Sequence, residues 1–253
     1  MSAHQSVLDP ASKADDLLAI ERLCVKAWPA LETAVIDGWL WRTSGGASKR
    51  ANSVSTIEFT GIDPIAALDE AEARYRARGA AAIVHTCALS PHNIAELLKA
   101  RGYTQGERTL TMVKRIGALT SSSAIEVTDR ATPDWLNVYL GAINENRRVV
   151  NAKIIESIPK PSAFFGCRRA DQVISTGLCV ADGGYAVLEC IATNADARRQ
   201  GGAAAIVSAM EAWAAEARVH TLGLQVIADN SNAIALYEKL GFVAADFNQF
   251  WVR

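Results

Sequence analysis

Paired cysteines are missing from this chain of 253 residues. Cys24, Cys87, Cys167, Cys179 and Cys190 are odd in number, form no C-x-x-C and sit mostly in apolar runs such as 83–87 and 188–191. That excludes a disulfide framework and fits small core residues in a reducing compartment. Histidine is scarce too. His4, His85, His92 and His220 show no H-x-x-x-H spacing, so no metal site is expected. A formal net charge of −1 removes the electrostatic case for general nucleic-acid binding. No apolar run approaches the ~18 residues of a membrane span. The amino terminus is polar and lacks the apolar core of a signal peptide. The expectation is a cytoplasmic protein with no membrane and no nucleic-acid partner.

What is present is a core. Half of the residues are apolar and 21% are charged. At roughly 100–200 residues per domain, the length allows one large domain or two small ones. Strand and helix patterns alternate, the mark of an α/β chain. Residues 12–28 place Leu17, Leu18, Ile20, Leu23 and Cys24 at helical spacing. Residues 38–46 read as a strand ending in a Gly-Gly turn, followed by a second strand over 51–59. Pro64 opens a helix over 65–78. A strand (81–88), a short helix (91–100) closed by Gly102, and a strand (103–116) follow. Residues 117–123 are small and polar, the best linker in the chain.

Beyond them the cycle restarts. The reading is a strand at 124–128, a helix capped by Thr132-Pro133, and strands near 162–168, 172–180 and 185–192. Helix 202–217, strand 221–227, helix 231–240 and strand 242–252 complete it. The two halves share an ending. Asn93 lies 139 residues before Asn232, and the same offset aligns Leu97 with Leu236, Gly102 with Gly241 and Tyr103 with Phe242. Duplication of one α/β unit explains that better than coincidence. Within it, Leu98 falls opposite Tyr237.

Two stretches carry chemistry. Arg198-Arg199-Gln200-Gly201-Gly202-Ala203-Ala204 lies between a buried strand and a long helix. Glycines let backbone approach a ligand, and the first free amides of a helix favour an anion. Two arginines suit a pyrophosphate. The same residues also make an ordinary strand-to-helix turn with solvated arginines. The second stretch is Asn230-Ser-Asn-Ala-Ile-Ala-Leu-Tyr237-Glu-Lys-Leu-Gly241-Phe242. Together these resemble the GNAT superfamily of acyl-CoA-dependent N-acyltransferases, whose pattern is R/Q-x-x-G-x-G/A and later N-x-x-A-x-x-L-Y-x-x-x-G-F. The likeness is specific over about 184–243. The amino-terminal half lacks both motifs. The expected architecture is therefore α/β (α+β) with two GNAT-like mixed-sheet units: a degenerate one over 1–118 and a catalytic one over 119–253.

The resemblance implies acetyl-CoA as cosubstrate, with a small-molecule amine as acceptor. It implies that Ile191, Ala192 and Thr193 bind the pantetheine arm through their backbone. Arg198, Arg199, Gln200, Gly201, Gly202, Ala203 and Ala204 would wrap the pyrophosphate. Asn230 would contact the cofactor while also capping a helix. Tyr237 matches the tyrosine that protonates the departing thiolate; a phenol of pKa about 10 keeps its proton at neutral pH. Some members place a glutamate base five residues before that asparagine, but here Gln225 stands there. Glu189, a carboxylate inside an apolar run, is the remaining base, or else half of a structural ion pair. Cys190 without a histidine partner reads as core. In residues 37–53, alternation puts Trp39 and Trp41 on one strand face and Leu40 and Arg42 on the other. This segment either packs as an amphipathic hairpin or lines the acceptor site. A monomer or homodimer is expected. Two other functions fit the same residues: acetylation of protein amino termini or lysines, and a non-catalytic acyl-CoA sensor.

Overall fold

A computed structural model describes residues 10–45, 48–117 and 125–253. The linker expected at 117–123 lies, beyond Gly117, outside the described residues. The first half runs α1 (Pro10–Ala27), β1 (Glu32–Ile36), β2 (Trp39–Thr43), β3 (Val54–Ser55), α2 (Pro64–Arg76), β4 (Ile83–Thr86), α3 (Ile94–Ala100) and β5 (Thr104–Arg115). The second runs β6 (Ile125–Thr128), α4 (Pro133–Ala142), α5 (Glu145–Glu156), β7 (Ser162–Arg169), β8 (Gln172–Asp182), β9 (Tyr185–Thr193), α6 (Gly202–Glu216), β10 (Thr221–Ile227), α7 (Ser231–Lys239) and β11 (Val243–Val252).

All these strands join one mixed sheet in the order β1-β2-β3-β4-β11-β5-β10-β9-β8-β7-β6. The centre is an exchange. β5 of the first half lies along β10 of the second, and β11 of the second lies along β4 of the first. The two exchanged strands pair with each other between them. One sheet thus crosses both halves, and its hydrogen bonds join residues more than a hundred positions apart.

The shared ending is the same in both halves down to its hydrogen bonds. Gly102 and Gly241 both hold positive φ (80° and 89°), as a helix-terminating glycine must. Tyr103 N donates to Leu98 O and Phe242 N to Tyr237 O, each at 3.0 Å. Leu98 and Tyr237 are thereby placed equivalently, and both are buried.

Two local expectations are corrected. The hairpin partner of β2 is upstream, since β1 pairs with it through Ile36↔Trp39. Asp37 (φ 48°) and Gly38 (φ 89°) supply the two positive-φ turn positions that a two-residue hairpin requires. The strand expected at 51–59 shrinks to β3. One element has no counterpart in the sequence reading: α5, which carries Arg147 and Arg148. The polar run Glu145–Arg148 hides its short apolar stripe of Val150, Ile154 and Ile155.

Three apolar clusters hold the layers together. On one face, α6 and α7 cover the second half of the sheet with Ile206, Met210 and Tyr237. On the other, α1, α4 and α5 cover it with Ile20, Trp135 and Ile154. Ile20 of α1 lies so close to Gly223 of β10 that an added Cβ would sit 2.4 Å from its Cγ2. Gly223 is thus what lets α1 lie flat on the sheet. Trp39 and Trp41 pack with Leu68, Tyr75 and Leu98 under α2 and α3. Each such side chain contributes about 2–3 kcal/mol of burial.

Candidate active site

The notch begins where two strands part. β9 and β10 run parallel only from Tyr185↔Thr221 to Val187↔Gly223. Beyond that point β10 stays on β5 as far as Ile227, while β9 stays on β8 through Thr176↔Ala192 and Ser175↔Thr193. A bulge in β9 drives the separation, and Cys190 within it takes φ 53°. The edge of β9 that faces the notch has no strand partner at Ile191, Ala192 and Thr193. Backbone amides and carbonyls in that position call for a ligand or water.

At the wide end of the notch the chain turns into α6. Arg199 (φ 58°) and Gly201 (φ 84°) alternate with ordinary conformations, the geometry that points successive amides into one concavity. The first main-chain bond of α6 is Ala205 N to Gly201 O, 3.0 Å, so the amides of Gly202, Ala203 and Ala204 have no intrahelical acceptor. Gly202 lies against β8, where a Cβ would come within 2.3 Å of Ser175 Oγ. Ser175 Oγ is in turn 3.0 Å from Thr193 Oγ1. Arg198, Arg199 and Gln200 are exposed, with Gln200 Nε2 donating to Asp196 O at 3.1 Å.

From the α6 side, α7 brings Asn230 and Tyr237. Asn230 Oδ1 accepts from Ala233 N (3.2 Å), which is the cap reading, and its side chain is otherwise exposed. Tyr237 is 8% exposed and packs edge-on against Phe242. Its hydroxyl hydrogen-bonds to no other described residue. Burial, with the Glu189 carboxylate second, pushes its phenol up to about 12.

Across the sheet, on the face that α1 covers, Glu189 and Gln225 stand two residues beyond the last β9–β10 pair. Neither is free. Arg50 Nη1 and Nη2 donate to Glu189 Oε2 (2.8 Å) and Oε1 (2.5 Å). Burial works against the Arg50 charge, and the Glu189 carboxylate prevails, so Arg50 is held firmly cationic. Gln225 Nε2 donates to Glu21 Oε2 at 3.0 Å, and Glu21 also accepts from Thr111 and Asn248. Burial pushes the Glu21 carboxyl upward against those bonds. Cys190 is half-buried, and its thiol is pushed up by burial and Glu189, which suits packing and not nucleophilic attack.

The structure therefore brings the residues expected to bind the cofactor (191–193, 198–204, Asn230) and Tyr237 around one notch, with Glu189 on its far side. Glu21, from the first half, carries no signal in the sequence. Arg50 and Arg42 belong to the segment 37–53, for which lining the acceptor site is one of the two readings, and Arg42 borders the same small void as Arg50 and Gln225.

Residues 15–250 match a family model described as "Probable histone acetyltransferase Rv0428c C-terminal". The chain belongs to that family. It is 26% identical over 236 residues to the N-acetyltransferase YobR of Bacillus subtilis, covering 90% of this chain and 95% of YobR. Its fold is similar to a GCN5-related N-acetyltransferase from Kribbella flavida (TM-score 0.68, 15% identity, 93% of each chain). It is also similar to a tandem GNAT protein from the clavulanic acid biosynthesis pathway (TM-score 0.64, 11% identity, 97% of this chain and 95% of that one). The chain is thus an acyltransferase of GNAT type. Its α/β sheet is of that fold. GNAT acetyltransferases use acetyl-CoA, and the residues fit such a group: an unpaired strand edge for an amide-bearing arm, and a concavity of free amides with two arginines for a pyrophosphate. No described helix is long and apolar enough to cross a membrane.

Proposed function

We propose that the chain acetylates a primary amine of a small molecule by direct attack on the thioester of acetyl-CoA. The observation that carries this is the notch between β9 and β10, with Tyr237 beside it holding a hydroxyl that has no partner among the described residues. Acetyl-CoA supplies the acyl group as an activated thioester. The backbone of Ile191, Ala192 and Thr193 holds the pantetheine arm in register with β9. Arg198, Arg199, Gln200 and the amides of Gly201 to Ala204 take the pyrophosphate, and the Asn230 side-chain amide adds a donor.

As the N–C bond forms, the C–S bond breaks. The sulfur receives a proton from Tyr237, and the tyrosinate so formed takes the proton that the acylated nitrogen sheds. The net products are the amide, free thiol and the one proton that the ammonium loses before attack. With its pKa near 12, Tyr237 keeps that proton at every working pH until the thiolate appears. A carboxylate offers about four lone-pair sites, and Arg50 takes two of those on Glu189. The remaining two orient a water that accepts the proton of the incoming ammonium.

Thermal-shift titration with acetyl-CoA tests the site. A ligand at a hundredfold excess over Kd should stabilise the native chain by about 2.7 kcal/mol. Combined Arg198→Glu and Arg199→Glu, both exposed, should leave the unliganded melting temperature unchanged and abolish the shift. Gly202 is unsuited to the purpose, because any side chain there strikes Ser175. No shift in well-folded wild type would sink the proposal.

A further inference from the structure

Arg42 lies in β2 on the face opposite Trp39 and Trp41 and is 4% exposed. Its contacts do not match its charge. Nη1 lies 3.4 Å from Val25 O and Nη2 3.5 Å from Ser53 Oγ, both at the long limit of a hydrogen bond, and Nε has no partner among the described residues. The neighbouring cations are all matched: Arg22 by Glu58, Lys26 by Asp182 and Arg50 by Glu189. Among the described residues no carboxylate faces Arg42, and the strongest charge acting on it is the repelling Arg50. A buried guanidinium without a counter-ion is a costly feature to keep.

It borders a cavity of about 350 Å³ between α1 and the strands β1–β3, walled by Val25, Pro29, Leu40 and Ile57. That is the size of a small-molecule site. Val25 and Arg42 are shared with a second void of about 10 Å³, room for one water, bounded by Arg50 and Gln225. Arg50, which binds Glu189 at the notch, lines that second void, so the shared residues link the cavity wall to the site.

We propose that this cavity takes the acceptor and that Arg42 binds a carboxylate on it, so that the acetylated molecule is a small amine of the amino-acid class. This rests on the acetyl-CoA reading above. One unmatched guanidinium suits a monoanion, and its planar fork suits the two oxygens of a carboxylate. The apolar walls suit a short aliphatic stem.

Thiol release from acetyl-CoA is followed with the L-amino acids, β-alanine and 4-aminobutanoate, each against its primary amide. The expected result is at least one acid preferred over its amide by tenfold or more in kcat/KM. Arg42→Met should abolish that preference through KM for the acid, leaving the amide rate and KM for acetyl-CoA unchanged. The variant should also melt at or above wild type, since an uncompensated buried charge is gone. A panel in which no acid is preferred overturns the proposal, as does a preference that survives in Arg42→Met. A lower melting temperature with the acid-to-amide ratio intact marks a structural arginine and also overturns it. If acetyl-CoA fails to raise the wild-type melting temperature, the acetyl-CoA reading falls and takes this one with it.

Discussion

Arg50 and Glu189, 139 residues apart, hold each other through two hydrogen bonds of 2.8 and 2.5 Å at the edge of the notch. Glu189 is 6% exposed and Arg50 28%, so neither charge is well served by water once the other is removed. Arg50 also lies 5.5 Å over the ring of Trp28. Glu189→Gln or Arg50→Met alone should destabilise the chain by about 2–4 kcal/mol, at the lower part of the range for buried pairs because Arg50 is partly solvated. The double variant should recover much of that loss, because no orphan charge remains. Urea denaturation of the full cycle measures it, and strictly additive single effects would show that the pair is not coupled.

Tyr237→Phe separates chemistry from packing. The hydroxyl has no hydrogen bond to another described residue, so its loss should change stability by less than about 0.5 kcal/mol. A general acid contributes roughly 10²–10⁴-fold. The variant should therefore lose at least about 10²-fold in kcat and keep its KM for acetyl-CoA. A stability loss with normal kcat would assign the hydroxyl to the core instead. The equivalent Leu98 shows that apolar packing alone satisfies this position in the other half.

His85 should make the chain acid-sensitive. Burial, then Arg42 and Arg50, lowers its pKa to about 3. It stacks on Phe250 at 4.8 Å, and its Nδ1 has no partner among the described residues. An unfolded histidine takes up a proton near pH 6.5, while the folded one refuses it until about pH 3. Its stabilising effect is therefore complete above pH 6.5 and drains away as pH falls towards 3. By linkage the loss reaches about 2 kcal/mol at pH 5. His85→Phe keeps a ring against Phe250 and removes the titration. Its stability relative to wild type should rise by that amount between pH 7.5 and pH 5, read from urea midpoints. Parallel curves would mean that His85 titrates normally.

Local signals were legible, and long-range partners were not. Asn230, Tyr237 and Gly241 announce α7 because a cap, a buried face and a terminating glycine are written within a dozen residues. Gly201 and Gly202 announce the turn into α6 for the same reason. Asp37-Gly38 carries an equally local hairpin signal, but the Gly45-Gly46 pair points the strand towards a downstream partner. Arg42, Arg50 and Glu21 reach the site only because α1 and β1–β3 fold over the second half. No spacing in the sequence encodes that, and Glu189 could not be told from a free carboxylate without knowing Arg50.

The exchange of β5 and β11 should make the two halves fold as one unit. Without β5, β10 would expose a whole unpaired edge, and β11 would lose the partner it follows from Val243 to Val252. α1 would also be missing, leaving Val187, Leu178 and Gly223 under water instead of under Ile20 and Leu23. Exposed strand edges and apolar faces of that size favour aggregation over folding. Residues 125–253 expressed alone should therefore lack a cooperative melting transition, and co-expression with residues 1–124 should restore one. The intact chain should melt in a single calorimetric step whose van't Hoff and calorimetric enthalpies agree. Two separate transitions, or a well-folded carboxy-terminal fragment, would show that each half closes its own sheet in solution.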